Sequence, residues 1–187
     1  MHRDPLPPEP ARWICAATYR VPGHLEDAIG LLEGIFGPCD RASIPFPFEY
    51  TRYYEPEMGA GLWKVLAGFA GPCDPGYLAS AKRSAIAIED GLRDPVAGGR
   101  RVNLDPGLLG PSKLTLASTK EAAHRIYLGE GIYGEVTLLY ERGTYRPLPW
   151  TYPDYREERV SGFLVGIRGD ILGRRADVAC RPDAKRG

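Results

Sequence analysis

At 187 residues, with 43% hydrophobic and 26% charged side chains, the chain has the composition of one folded domain and not of a disordered segment. Its 24 basic and 24 acidic residues cancel, which removes the global positive field that nucleic acids and anionic membranes select. No apolar run approaches the ~20 residues of a membrane-spanning helix.

The first ten residues hold Pro5, Pro7, Pro8 and Pro10 and lack the apolar centre of a signal peptide, so a flexible lead-in over residues 1–11 and a cytoplasmic location are expected. Cys15, Cys39, Cys73 and Cys180 form no C-x-x-C pair, which favours free structural thiols in a reducing compartment over a thiolate zinc site.

Residues 13–19 form an apolar run ended by Pro22-Gly23 and predict a buried first strand. Leu25, Ala28, Ile29, Leu32, Ile35 and Phe36 then fall at helical spacing, and Gly37-Pro38 stops that helix. The aromatic stretch 43–53 reads as β, confined to an edge or a bulge by Pro45 and Pro47. A strand over 62–69 follows.

Asp74-Pro75 is a helix start, and Leu78, Ala81, Ala85, Ile88 and Leu92 make its apolar stripe, with Lys82, Arg83, Glu89 and Asp90 largely outside it. Residues 101–104 predict a short strand entering a turn at Asp105-Pro106-Gly107. Three further β segments are expected at 113–118, 125–128 and 132–141. A Pro/aromatic coil over 145–155 leads to a last helix carrying Val160, Phe163, Leu164, Ile167 and Ile171.

The order β-α-β-β-α-β is that of a ferredoxin-like α+β core, here extended by an additional antiparallel β-hairpin and a C-terminal helix. One domain over 12–172 and a disordered tail over 173–187 are expected. Two helices would cover one sheet face and leave the other open to a partner, a ligand or more chain.

Gly129-Glu130-Gly131-Ile132-Tyr133-Gly134-Glu135-Val136 matches the glycine-rich phosphate loop of protein kinases. Neither the H-R-D nor the D-F-G partner of that loop follows it, the chain's H-R-D being His2-Arg3-Asp4 far upstream, and the glycines lead into a strand-like run instead of the helix a dinucleotide fingerprint requires. What remains is a glycine-tipped hairpin inside a polar segment.

That segment carries the candidate chemistry. Asn103 and Asp105 lie at a strand end, where a sheet fixes the origin of catalytic groups, although Asp105 can equally make an Asx-turn. Lys113 and Lys120, among hydroxyls, suit an anionic oxygen. Ser118 with Glu121 also fits a helix capping box. Arg125 adds a cation. His124 with Asp105 and Glu135 can serve as an acid/base set or as ligands to a divalent metal, against the plainer role of a hydrogen-bonded histidine. Tyr54 and its aromatic neighbours can line a pocket or cover a sheet edge. Trp150 to Tyr155 poses the same choice between a lid and a strap.

Several runs also carry a resemblance: Phe46-Pro47-Phe48, Tyr53-Tyr54-Glu55, Arg101-Val102-Asn103-Leu104-Asp105-Pro106-Gly107, Ser112-Lys113-Leu114, His124-Arg125-Ile126-Tyr127-Leu128, and Pro147-Leu148-Pro149-Trp150-Thr151-Tyr152. Together, over roughly residues 10 to 172, they resemble a family of small bacterial and archaeal proteins described as domain of unknown function 4416. The resemblance implies a stand-alone soluble protein of this length and assigns no activity to any residue.

The expectation is a small-molecule site for a phosphorylated or carboxylated ligand built on 103–137, serving binding, hydrolysis or group transfer. No cofactor pattern appears apart from the possible divalent metal. The alternative is a non-catalytic module binding protein or single-stranded RNA through an aromatic open sheet face. Neutral charge weighs against nucleic acid, and a homodimer through the extra hairpin is compatible with either.

Overall fold

Strand β1 (Arg12–Tyr19) is buried along its whole length, and the fold is organised around it. The computed structural model describes residues 6–71 and 73–179. An apolar run with no alternation must be covered on both faces. Trp13, Cys15, Ala17 and Tyr19 face helices α1 (Pro22–Phe36) and α3 (Leu78–Gly91), while Ile14 and Ala16 face helix α4 (Glu158–Ala179). The flanking strands are β4 (Trp63–Phe69) and β5 (Val102–Leu109), both antiparallel to β1.

The remaining strands are β2 (Cys39–Ala42), β3 (Phe46–Pro47), β6 (Lys113–Ser118), β7 (Ile126–Gly129), β8 (Ile132–Glu141) and β9 (Thr144–Pro147). They complete a nine-stranded sheet of order β2-β4-β1-β5-β6-β8-β7, with β3 on β4 and β9 on β8. Every pairing is antiparallel. The molecule is therefore a mixed α+β protein with one large antiparallel sheet.

Helix α1 takes Pro22 into its first turn and ends where Gly37 adopts φ 79° and its N–H returns to the Glu33 carbonyl. A side chain at Gly37 would also meet Gly71 Cα at 2.6 Å, so glycine is required twice over. Phe36 then stacks on Trp13 at 4.9 Å and meets Phe69 edge-on at 5.4 Å. Asp74 accepts the Gly76 N–H at 2.8 Å and opens a 3-10 turn that feeds α3.

The structure departs from the sequence reading in five places. The second sheet face is covered by more of the chain, which removes the open aromatic face that the alternative binding module needs: Ile14, Ala16, Leu66, Leu109 and Leu114 pack against Val160, Leu164, Ile167 and Ile171 of α4, because that apolar row cannot be left in water. Residues 43–53 hold little strand; β2 lies earlier, at the sheet edge with a bulge between Cys39 and Arg41, and a short helix α2 (Glu55–Met58) follows the aromatic loop. The Asp105-Pro106-Gly107 turn does not form, since β5 runs straight through it. Residues 144–147 make β9 where coil was expected. Helix α4 continues to Ala179, past the expected domain end, and residues 180–187 of the tail lie outside the described residues, as do residues 1–5 of the lead-in.

Cys15 is fully buried, with its thiol pushed up chiefly by that burial, and Cys39 and Cys73 are likewise unpaired. Cys180 lies outside the described residues. No described helix is long and apolar enough to cross a membrane.

Between α3 and β5, Asp94 accepts the N–H groups of Ala97 at 2.8 Å and Val96 at 2.9 Å and a guanidinium hydrogen of Arg101 at 3.1 Å. These bonds, Ala97 first, hold its carboxyl at about 2. A carboxylate depressed below its unfolded value of about 3.9 stabilises the fold above that pH and loses its contribution as pH falls. Asp94→Asn is therefore expected to be less stable than wild type at pH 7 and to converge with it between pH ~4 and ~2. Urea unfolding at stepped pH checks this, and a difference that stays constant with pH would contradict it.

Candidate functional site

The site lies where the sheet splits. Strand β1 pairs with β5 from Tyr19↔Val102 to Arg12↔Leu109, but β6 pairs with β5 only at Gly107, Leu108 and Leu109. From Val102 to Pro106 the second edge of β5 has no strand beside it, and Pro106, which cannot donate to a ladder, is the last residue before pairing resumes. At Gly107 the strands close so tightly that a Cβ would stand 2.6 Å from both Leu116 Cδ2 and the Thr115 carbonyl oxygen. Gly107 is the apex of a wedge, and Asn103 and Asp105 line its β5 side.

A cavity of about 640 Å³ fills the wedge. Helix α3 contributes Lys82, Ile86 and Glu89; the loop before α2 contributes Phe48, Tyr50, Tyr53 and Tyr54; β6 and the turn after it contribute Leu116 to Lys120. Arg125, Glu135 and the strap Tyr152 to Tyr155 add a further wall, and Lys64, Glu57, Asp90, Arg93 and Arg100 also line the cavity. Arg156 ties the strap in place through the Thr151, Leu148 and Pro149 carbonyls, and Trp150 Nε1 donates to the Val136 carbonyl at 2.9 Å. The strap is a fixed wall.

Six basic and six acidic side chains line the cavity, so the wall carries no net charge. Asp105 accepts from Lys82 Nζ at 3.0 Å and Asn103 Nδ2 at 2.9 Å, and Lys82 also donates to the Leu104 carbonyl at 2.6 Å. Burial alone would push Asp105 up, but the charges of Lys82 and Lys64 outweigh it and hold the carboxyl below its usual value. Burial likewise opposes the Lys82 ammonium, and Asp105 and Glu89 reverse the sign, so Lys82 stays charged.

Glu89 accepts the Leu104 N–H at 2.7 Å, and burial raises its carboxyl. Lys64 pairs with Asp154, both nearly inaccessible. Arg100 bridges Glu57 at 2.8 Å, Glu89 at 3.4 Å and Asn103 Oδ1 at 3.0 Å. Arg93 pairs with Asp90 and Glu57.

Arg125 is a hub. Its Nε donates to Glu135 at 2.8 Å, its other nitrogens to Ser118 Oγ, the Lys120 carbonyl and the Tyr152 hydroxyl. Each of the six carboxylates thus has a cation. Of the six cations only Lys120 has no carboxylate partner among the described residues; its ammonium sits 4.2 Å from the centre of the Tyr53 ring.

The structure brings together Asn103, Asp105, Lys120, Arg125, Glu135 and Tyr54, all of which line the cavity. Lys113 does not: it begins β6 opposite Leu139, at the far end of the strand from Ser118, and is exposed. His124 stands behind the wall, with Nε2 3.0 Å from Glu135 and its ring stacked on Trp150 at 5.0 Å. His124 and Arg125 both precede β7, which starts at Ile126, and both reach Glu135.

Among the described residues no three His, Cys, Asp or Glu side chains are grouped to hold a metal ion, so Asp105, His124 and Glu135 do not assemble as a metal set. The Ser118 capping box is also absent. No helix follows Ser118, whose hydroxyl instead accepts from the Lys120 N–H and Arg125.

Sequence reasoning missed Lys64, Lys82, Glu89, Asp154 and Tyr155. Lys82 and Glu89 are separated by two helical turns and flank Ile86, so a stripe 82-86-89 runs beside the recognised one. Lys64 is one charge in an otherwise apolar strand, and such a residue needs a buried partner. Tyr155 had no signal beyond its place in the strap.

No curated protein and no solved structure matches the chain. A family model does, over residues 9–170, and so covers the sheet, the wedge and most of α4. The chain belongs to the family described as Domain of unknown function (DUF4416).

Proposed function

We propose that the wedge binds one small anionic molecule, a phosphorylated or carboxylated metabolite, with its acidic group at Lys120. The observation that carries this reading is the ion-pair balance of the cavity: among the described residues every other charge of the wall has an opposite partner, and the Lys120 ammonium has no carboxylate. Ser118 and Thr119 precede it at the rim and add hydroxyl groups suited to phosphate or carboxylate oxygens. The volume lies within the range of small-molecule sites, and the tyrosine wall offers flat faces for a ring.

Asp105 and Glu135 are the groups that hydrolysis or group transfer would draw on. Both are tied into ion pairs, which favours binding over catalysis as the core of the reading. In the scaffold, the order β2-β4-β1-β5 with α1 and α3 on one face supports a ferredoxin-like unit, to which β6 to β9 and α4 are additions.

A thermal-shift panel of phosphorylated and carboxylated metabolites, nucleotides and divalent metals tests the function. A ligand at ~100 times its dissociation constant adds ~2.7 kcal/mol of stability. Lys120→Ala is expected to weaken an anionic binder by about tenfold or more, as loss of one charge-assisted contact does. Lys113→Ala, at the far end of β6, is expected to change nothing. Equal losses from the two substitutions, or no stabilisation by any anion, would refute the site.

A further inference from the structure

The charges of the cavity wall cancel as a whole but not place by place. Three pairs match one to one: Lys64 with Asp154, Lys82 with Asp105, and Arg125 with Glu135. Two unequal groups remain. Beside the free edge of β5, where Arg100 bonds Asn103, the carboxylates of Glu57, Glu89 and Asp90 share the two guanidiniums of Arg93 and Arg100. Just beyond β6, Lys120 has no carboxylate among the described residues. One flank of the wedge is thus short of a positive charge and the other of a negative one.

The acidic flank is also loosely held. The Glu89 side chain is 6% exposed and accepts the Leu104 N–H through Oε1 at 2.7 Å, but among the described residues Oε2 meets only Arg100, at 3.4 Å. An ion pair set so deep ordinarily closes to about 2.7–2.9 Å. Burial opposes the charge of Glu89, and a further cation on this flank would favour its ionised form. Two rings join the flanks: Tyr53 lies 4.2 Å from the Lys120 ammonium and meets Tyr54 edge-on at 5.1 Å, and Tyr54 lies 5.8 Å from Arg100.

We infer that the ligand carries an amine besides its acidic group, with the ammonium among Glu57, Glu89 and Asp90 and the acid at Lys120. The inference rests on the ligand reading above and narrows it to amino acids and amine-bearing phosphates. Such a molecule leaves neither flank unmatched, whereas a plain anion answers Lys120 and leaves the acidic excess in place. The two tyrosine rings suit a flat spacer between the charged ends.

A ladder of matched aryl phosphates separates this from anion recognition alone. The 4-aminomethyl, 4-(2-aminoethyl) and 4-(3-aminopropyl) compounds are each set against the isostere with methyl in place of ammonium: 4-ethyl, 4-propyl and 4-butylphenyl phosphate. Calorimetric titration of the full chain is expected to show, at one length or more, the amine bound about tenfold more tightly than its isostere. Glu89→Gln keeps an acceptor for the Leu104 N–H and should abolish that preference while leaving the alkyl probes unaffected. Since Glu89 is buried, Asp90→Asn at an exposed carboxylate is the second variant, and it should reduce the preference. Lys120→Ala should weaken amine and alkyl probes equally.

Equal, Lys120-dependent binding of amine and alkyl probes at every length would overturn the inference and leave the anion site standing. An amine preference that neither carboxylate substitution changes would also overturn it, because the ammonium would then sit elsewhere. Binding of no probe would reject the amine-bearing ligand, while a Lys120-dependent response to other anions in the panel would still sustain the site.

Discussion

Replacing Lys64 with methionine is expected to destabilise the protein by about 3–5 kcal/mol, the usual cost of stranding one member of a buried ion pair. Lys64 lies on β4 opposite Thr18 of β1 and Phe46 of β3, in the interior of the sheet, and its ammonium pairs with Asp154 of the strap. Both side chains are 5% exposed, so water does not replace the missing cation.

The double substitution Lys64→Met with Asp154→Leu is expected to recover most of the loss, because a well-packed apolar pair of similar volume often equals a buried salt bridge. Urea unfolding of the three proteins measures this. A loss below ~1 kcal/mol for Lys64→Met would mean that the pair is hydrated, in the range of exposed ion pairs. The substitution also reaches the site: Asp154 and Tyr155 are consecutive, and freeing the carboxylate loosens the wall beside the phenol.

Lys82→Met is the second large effect, at about 2–4 kcal/mol, scaled down from a fully buried pair because Asp105 opens onto the cavity. Two acceptors lose a donor, the Leu104 carbonyl and the Asp105 carboxylate, the latter keeping Asn103 Nδ2. With Lys82 present, Asp105 sits below its usual value and stabilises the fold at neutral pH. With Lys82 gone, the burial contribution prevails, the carboxyl rises, and its charged form becomes a liability.

The deficit of Lys82→Met is therefore expected to be largest at pH 7 and to shrink as acid protonates Asp105 in the variant. Asp105→Asn added to Lys82→Met should restore part of the stability at pH 7. A deficit that grows on acidification would reverse the assigned sign. Since Lys64 also acts on Asp105, the Lys64 and Lys82 substitutions should not add, and their combination should depart from the sum of the two.

Much of the scaffold was legible in the chain. The strands at 113–118 and 132–141 form with the bounds that alternation indicated, and the glycine tip between β7 and β8 takes positive φ at Gly129, Glu130 and Gly131. Asp74 starts its helical segment through a side-chain bond to a nearby N–H, a local rule that needs no tertiary contact. The Asp105-Pro106-Gly107 turn failed for the opposite reason. Its signal is local, but eight residues of β1 hold β5 extended along one edge, and the contact of Gly107 with Leu116 holds it on the other. Lys82 and Glu89 were misread because a helical wheel shows which residues share a face, not what that face meets; here the flank of α3 meets the open edge of β5.

Periodicity and turn chemistry act over a few residues, so the sequence alone determined the α+β class, the family, most strand and helix positions, and the polar segment 103–137 that carries about a third of the cavity lining. Only the tertiary structure decided where β6 leaves β5, which carboxylate each buried cation faces, that Lys113 stands outside the cavity, and that Lys120 lines it without a carboxylate partner among the described residues. Strand register and the pairing of buried charges join residues far apart in the chain, 90 positions for Lys64 and Asp154 and 158 for Arg12 and Asp170, and no local pattern encodes a choice made across that distance.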